Sequence, residues 1–144
     1  MNHFSFQDGE LFCESVALAR IVEQEGTPLY VYSRATLERH FNTFDSAFSV
    51  VPHLSCYSVK ANSNLALLRL FARLGCGVDV VSGGEISRAL KAGIAPEKIV
   101  YSGVGKTRPE IELALASDIL MFNVESAQEL ELINQTAVEK AVRA

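Results

Sequence analysis

From residue 54 onward the chain repeats one unit, a short apolar strand followed by an amphipathic helix. Candidate strands fall at 54–59, 77–81, 99–102 and 119–122, with starts 23, 22 and 20 residues apart. The helical segments between them carry their own start signals. SGGE (82–85), TRPE (107–110) and SAQE (126–129) all fit the S/T-x-x-E capping box. Gly75 and Gly93 stand where helices should stop. Leu65, Leu68 and Ala72, and again Ile86, Ala89 and Leu90, recur at helical spacing and predict one buried face. Strands joined through helices run parallel. Units this short close naturally as a β/α barrel, which takes eight units and on the order of 200 residues or more. Four units are visible in 144 residues. The expected fold is therefore α/β, a partial (β/α)8 barrel of about four units. A doubly wound open sheet is the alternative that periodicity leaves open.

The organisation changes before that repeat. Residues 1–50 form an N-terminal segment and residues 51–144 the first half of the barrel. FSF and LFC, separated by the turn signal QDGE, predict a short hairpin. Residues 16–25 read as a helix closed by Gly26, Leu29 to Tyr32 in TPLYVYS as a strand, and Ser33 as the cap of a helix to about Phe48. The closing EKAVRA reads as the middle of a helix, with no stop signal before Ala144. The expectation is a chain cut short. Half a barrel leaves sheet edges open, so these residues alone are expected to fold poorly and to be inactive.

Composition excludes several functions. The formal net charge is −4 with no basic block, which argues against a nucleic-acid partner. No apolar run approaches the roughly 18–20 residues that span a bilayer. MNHFSFQDGE has neither the basic nor the apolar region of a secretory signal. Three cysteines at irregular spacing, Cys13, Cys56 and Cys76, predict a reducing compartment, the cytoplasm, and read as small buried hydrophobes. His3 and His40 form no metal spacing with any cysteine, so no metal site is expected. His53 reads as structural or solvated.

The first repeat unit carries an unusual residue. CYSVKANSN (56–64) ends an apolar strand in Lys60. Alternation puts Leu54, Cys56, Ser58 and Lys60 on one face and Ser55, Tyr57 and Val59 on the other. Lys60 then projects from the carboxyl end of its strand, where barrels and open α/β sheets both place their chemistry. The next strand, GVDVVSGG, places Asp79 in the same way. A lone buried charge costs several kcal/mol, so a Lys60–Asp79 pair is expected. Pattern alone leaves two readings of that pair, a structural salt bridge or an amine kept for Schiff-base chemistry with a carboxylate to position it. Ser82, Gly83 and Gly84 open a helix, and their amides are a weak candidate for phosphate contact. GVGKT (103–107) fails as a nucleotide loop, because the position five before Gly105 is Val100 rather than glycine. Lys106 therefore reads as a solvated loop lysine.

CYSVKANSN, GCGVDVVSGGEISRALKAGI, KIVYSGVGKTRPEIELAL and FNVESAQELELI, taken together and in order, resemble the barrel-type pyridoxal-phosphate (PLP) amino-acid decarboxylases. The resemblance runs from about Thr27 to the end of the chain. It implies that Lys60 is the catalytic lysine that holds PLP covalently, and that Asp79 and Glu85 lie at the cofactor end of the site. Glu85 has an independent explanation as the fourth residue of a capping box. Ser58 stands where the family more often has alanine. The ANSN and SGGE blocks look more like the branch that converts meso-2,6-diaminopimelate to L-lysine and CO2 than the ornithine and arginine branch. A non-catalytic homologue is the third reading. The resemblance further implies a separate β domain built with N-terminal strands, and a homodimer whose partner completes each site. The family's ring-stacking histidine, pyridine-facing glutamate, main phosphate-binding glycines and substrate-binding arginine would come from later segments.

Overall fold

A computed structural model describes residues 2–144. They divide into two compact units, one reaching His53 and the other running from Leu54 to Ala144.

The first unit opens with a hairpin. Strands β1 (Phe4–Gln7) and β2 (Glu10–Cys13) pair antiparallel through a two-residue turn at Asp8 and Gly9. Both turn residues have positive φ, 50° and 83°, as this tight right-twisting hairpin demands. Val16–Ala17 forms a short strand, β3, against β2, so the first helix, α1, covers Leu18–Glu25 rather than starting at residue 16. Gly26 closes it with φ 78°. The expected strand at 29–32 is not formed. No described strand pairs with it, and Tyr30 is 91% exposed, so its backbone has no ladder to join. Helix α2 (Arg34–Ser46) starts at Ser33 as the sequence suggests. The Ser33 hydroxyl accepts from the Thr36 N–H and donates to Glu14, and the same Glu14 oxygen accepts from the Ala35 N–H. Those bonds, the backbone amide first, hold the Glu14 carboxyl below its ordinary range. His53 is structural, bonded to Asp45 at 3.1 Å and to the Val51 carbonyl.

The second unit is the βα repeat. Strands β4 (Cys56–Ser58), β5 (Gly77–Val80), β6 (Ile99–Tyr101) and β7 (Met121–Phe122) form one parallel sheet in sequential order. Helices α3 (Leu65–Arg73), α4 (Gly83–Ala92), α5 (Arg108–Ala116) and α6 (Ala127–Glu139) follow the strands, each packed beside the next. Val59, Val78, Val80, Ile99 and Tyr101 are fully buried against Leu68, Ile86, Ala89 and Ala114 of these helices. The helices thus cover one sheet face. An order that never reverses, with helices on one side, is the first half of a barrel and not a doubly wound sheet.

The register places Ser58, Asp79, Val100 and Met121 in one row on the opposite, uncovered face. Cys56 stands on that face beside Gly77, and so is exposed rather than buried, unlike Cys13 and Cys76. Gly77 is required by close approach. A Cβ there would lie 2.7 Å from the Lys98 carbonyl oxygen and 2.8 Å from the Cys56 sulfur. Helix α6 ends at Glu139, not beyond Ala144. Ala141 turns left-handed at φ 53°, and the Val142 N–H returns to the Ala137 carbonyl, the bonding of a Schellman stop.

Candidate functional site

Lys60 is held by its neighbours on either side. Strand β4 ends at Ser58 and the chain tightens into a single 3-10 turn, Val59–Ala61. Val59 is fully buried and anchors that turn in the core. Tyr57 stacks on Phe71 at 4.4 Å, and its hydroxyl donates to the Asn62 carbonyl. The Asn62 side chain accepts from the Asn64 N–H, and Asn64 in turn caps α3 through the Ala66 N–H. The two asparagines after the lysine are therefore turn and cap residues. Between these fixed points the Lys60 side chain is exposed and makes no hydrogen bond or ion pair among the described residues.

The expected Lys60–Asp79 ion pair is not formed. Asp79 is half-buried and satisfied from the other side. The Ser102 hydroxyl donates to its Oδ1 at 2.5 Å, and the Asn123 side-chain amide donates to the Ser102 oxygen at 2.9 Å. Lys60 leaves the strand for the turn, so its amine need not seek that carboxylate. Two residues on from the row through Ser58 and Asp79 come Lys60, Val81, Ser102 and Asn123, at the carboxyl ends of four neighbouring strands. Ser102 and Asn123 escape sequence reasoning, because a single Ser or Asn at a strand end is ordinary loop chemistry. Only the register puts them beside Asp79.

Glu85 faces back toward the end of β5. Its N–H is capped by Ser82, while its carboxylate accepts from the Val81 N–H at 2.8 Å. Helix α6 repeats the device, with Ser126 capping Glu129 and the Glu129 carboxylate accepting from the Glu125 N–H. Glu110 of α5 reaches across to α4 and accepts from the Gly83 N–H at 2.9 Å, and also from Thr107. The Gly83 bond, then those from Thr107, lower the Glu110 carboxyl from its ordinary value. Of the candidate phosphate-binding amides of Ser82, Gly83 and Gly84, that of Gly83 is thus already engaged.

Lys106 is not solvated. It is 8% exposed, and its ammonium donates to the Gly103 carbonyl (2.7 Å), the Asn123 carbonyl (2.8 Å) and Glu129 (2.8 Å). The Glu129 side chain is itself buried, and the ammonium lies 5.3 Å from the centre of the Tyr101 ring. The Tyr101 hydroxyl is buried without a hydrogen bond, and burial, then the Glu110 charge, push it up to about 12.

The exposed amine of Lys60 suits an aldehyde-bearing cofactor. A primary amine without a protein partner stands at the carboxyl end of β4, beside a strand that carries a hydrogen-bonded carboxylate. Among the described residues no cluster of histidine, cysteine, aspartate or glutamate could hold a metal ion. No described helix is long and apolar enough to cross a membrane.

Comparison with known proteins agrees with this fold. Residues 34–143 match the family described as pyridoxal-dependent decarboxylase, pyridoxal binding domain, and the chain belongs to that family. Its cofactor is accordingly a pyridoxal phosphate. All of the chain aligns with the diaminopimelate decarboxylase of Vibrio cholerae at 55% identity, covering 35% of that protein. A crystal structure from Aquifex aeolicus superposes on 99% of this chain with a TM-score of 0.94 and 49% identity, using 35% of its own chain. The diaminopimelate decarboxylase of M. jannaschii, solved with L-lysine, gives 0.92 and 39% over 97% of this chain and 34% of its own. The chain therefore spans about a third of the length of these relatives.

Proposed function

We propose that the protein carrying this chain decarboxylates meso-2,6-diaminopimelate to L-lysine and CO2, with pyridoxal phosphate held on Lys60. The observation that carries this reading is the unpartnered Lys60 amine at the carboxyl end of β4, within a family whose domain binds pyridoxal. When bound, the cofactor supplies an electron sink for the bond lost with CO2. The residues of this chain hold and orient. Lys60 offers the nucleophilic amine. Asp79, its oxygen fixed by the Ser102 hydroxyl, presents a carboxylate at the same end of the sheet. Glu85 contributes by holding the exit of β5 through the Val81 N–H, at the cofactor end of the site.

Identity of 55% to a diaminopimelate decarboxylase, and likeness to one solved with L-lysine, support this substrate over ornithine or arginine. The reading includes a homodimer acting in the cytoplasm, where the free thiols Cys13, Cys56 and Cys76 would stay reduced. It also assigns residues 1–50 to an N-terminal segment of β-domain strands plus helices, and residues 51–144 to the first half of the cofactor barrel. The test is CO2 release by the whole protein from diaminopimelate, ornithine and arginine. Turnover of diaminopimelate in preference to the other two is expected. Preference for ornithine or arginine would move the protein to the other branch, and no turnover of any would overturn the reading.

A further inference from the structure

We infer that Lys106 is a positioning residue, which acts through Asn123 and Ser102 to hold the Asp79 carboxylate in place. The inference rests on the reading of Asp79 as a cofactor-end residue. Its evidence is a continuous chain of bonds. All three donors of the ammonium are used, on Gly103, Asn123 and Glu129. Burying this pair carries a desolvation cost, which a lysine tying down a loop from solvent would avoid. What the buried pair secures is Asn123. The Asn123 carbonyl is taken by Lys106, and its N–H donates to the Tyr101 carbonyl at 2.9 Å. With both backbone groups fixed, the Asn123 side-chain amide is aimed at the Ser102 oxygen.

That aim decides a proton. A hydroxyl has one hydrogen and two lone pairs. An amide N–H from Asn123 fills a lone pair of Ser102, so the Ser102 hydrogen is left to point at Asp79. The Ser102 backbone is fixed as well, by its N–H on the Val80 carbonyl. Loss of the Lys106 bond frees the Asn123 carbonyl, and so loosens the side-chain amide that helps to orient the Ser102 hydroxyl. An arginine would not replace it, because a planar fork cannot converge on three acceptors arranged around one nitrogen.

The experiment uses the whole protein loaded with pyridoxal phosphate. Cofactor dissociation constants are measured for Lys106→Met, Ser102→Ala, Asn123→Ala and the pairs that combine each of the other two with Ser102→Ala. Residues acting through one network are non-additive, so each single change is expected to weaken retention by about tenfold and each pair no more than Ser102→Ala alone. Multiplying effects would show that Lys106 merely supports the fold, and would overturn the proposal. Lys106→Arg keeps a cation beside Glu129 but cannot converge on the Asn123 carbonyl as well, so its cycle with Ser102→Ala decides the matter if Lys106→Met does not fold. Crystal structures of the cofactor-free variants separate this inference from the functional reading. Loss of the Ser102–Asp79 bond in the folded Lys106 variant is expected, and an unchanged bond there would overturn the proposal whatever the protein's substrate.

Discussion

Tyr101 shows how one buried atom writes itself into stability. Its ring is fully buried between sheet and helices, but its hydroxyl has no hydrogen bond, and burial pushes it up to about 12. In the unfolded chain the phenol titrates near its ordinary value, about 10. Between those two values the unfolded chain has released a proton that the folded chain keeps, so stability falls as pH rises through that window. Tyr101→Phe is expected to flatten this alkaline fall. Denaturation midpoints of both proteins from pH 8 to 12 would check it, and an equally steep fall in the variant would contradict it. Lys60 and Asp79 are legible at this scale as charged residues near strand ends, but the pair expected of them is not, because Lys60 leaves its strand for a turn and Asp79 bonds Ser102. Lys106 is not. GVGKT has the composition of a solvated loop, and the partner that buries its lysine, Glu129, lies 23 residues away on another helix.

At the scale of elements, the chain marks its boundaries with side chains that satisfy backbone groups. Ser82 and Ser126 cap α4 and α6, and Glu85 and Glu129 reach back to the amides just before their caps. Ser126→Ala should cost about 1 kcal/mol, the ordinary worth of such a cap. Gly77→Ala should cost more, about 1–3 kcal/mol, because its new Cβ meets the backbone oxygen of Lys98, which cannot swing aside. Chemical denaturation of the whole protein would rank the two, and the reverse order would contradict the packing described. The hairpin and the helix starts are legible because turn and cap chemistry is local. The segment 29–32 is misread for the opposite reason. Its residues favour a strand, but a strand also needs a neighbour, and none of the described strands supplies one.

At the scale of the molecule, the four βα units build a one-sided structure. Their helices bury one sheet face, while the other carries Asp79, Val100 and Met121 in an uncovered row. The parallel sheet is legible from the 20–23-residue spacing of the strands, and its sequential order separates barrel from open doubly wound sheet. The site is legible only in part, because it is assembled from the ends of neighbouring strands whose register no local signal prints. The central claim is that Lys60 is the covalent anchor of the cofactor. It is tested most directly by loading the whole protein with pyridoxal phosphate, reducing it with borohydride and mapping the adduct by peptide mass spectrometry. The adduct is expected on Lys60, and to vanish in Lys60→Ala. An unmodified Lys60, or an adduct on another lysine, would contradict the account.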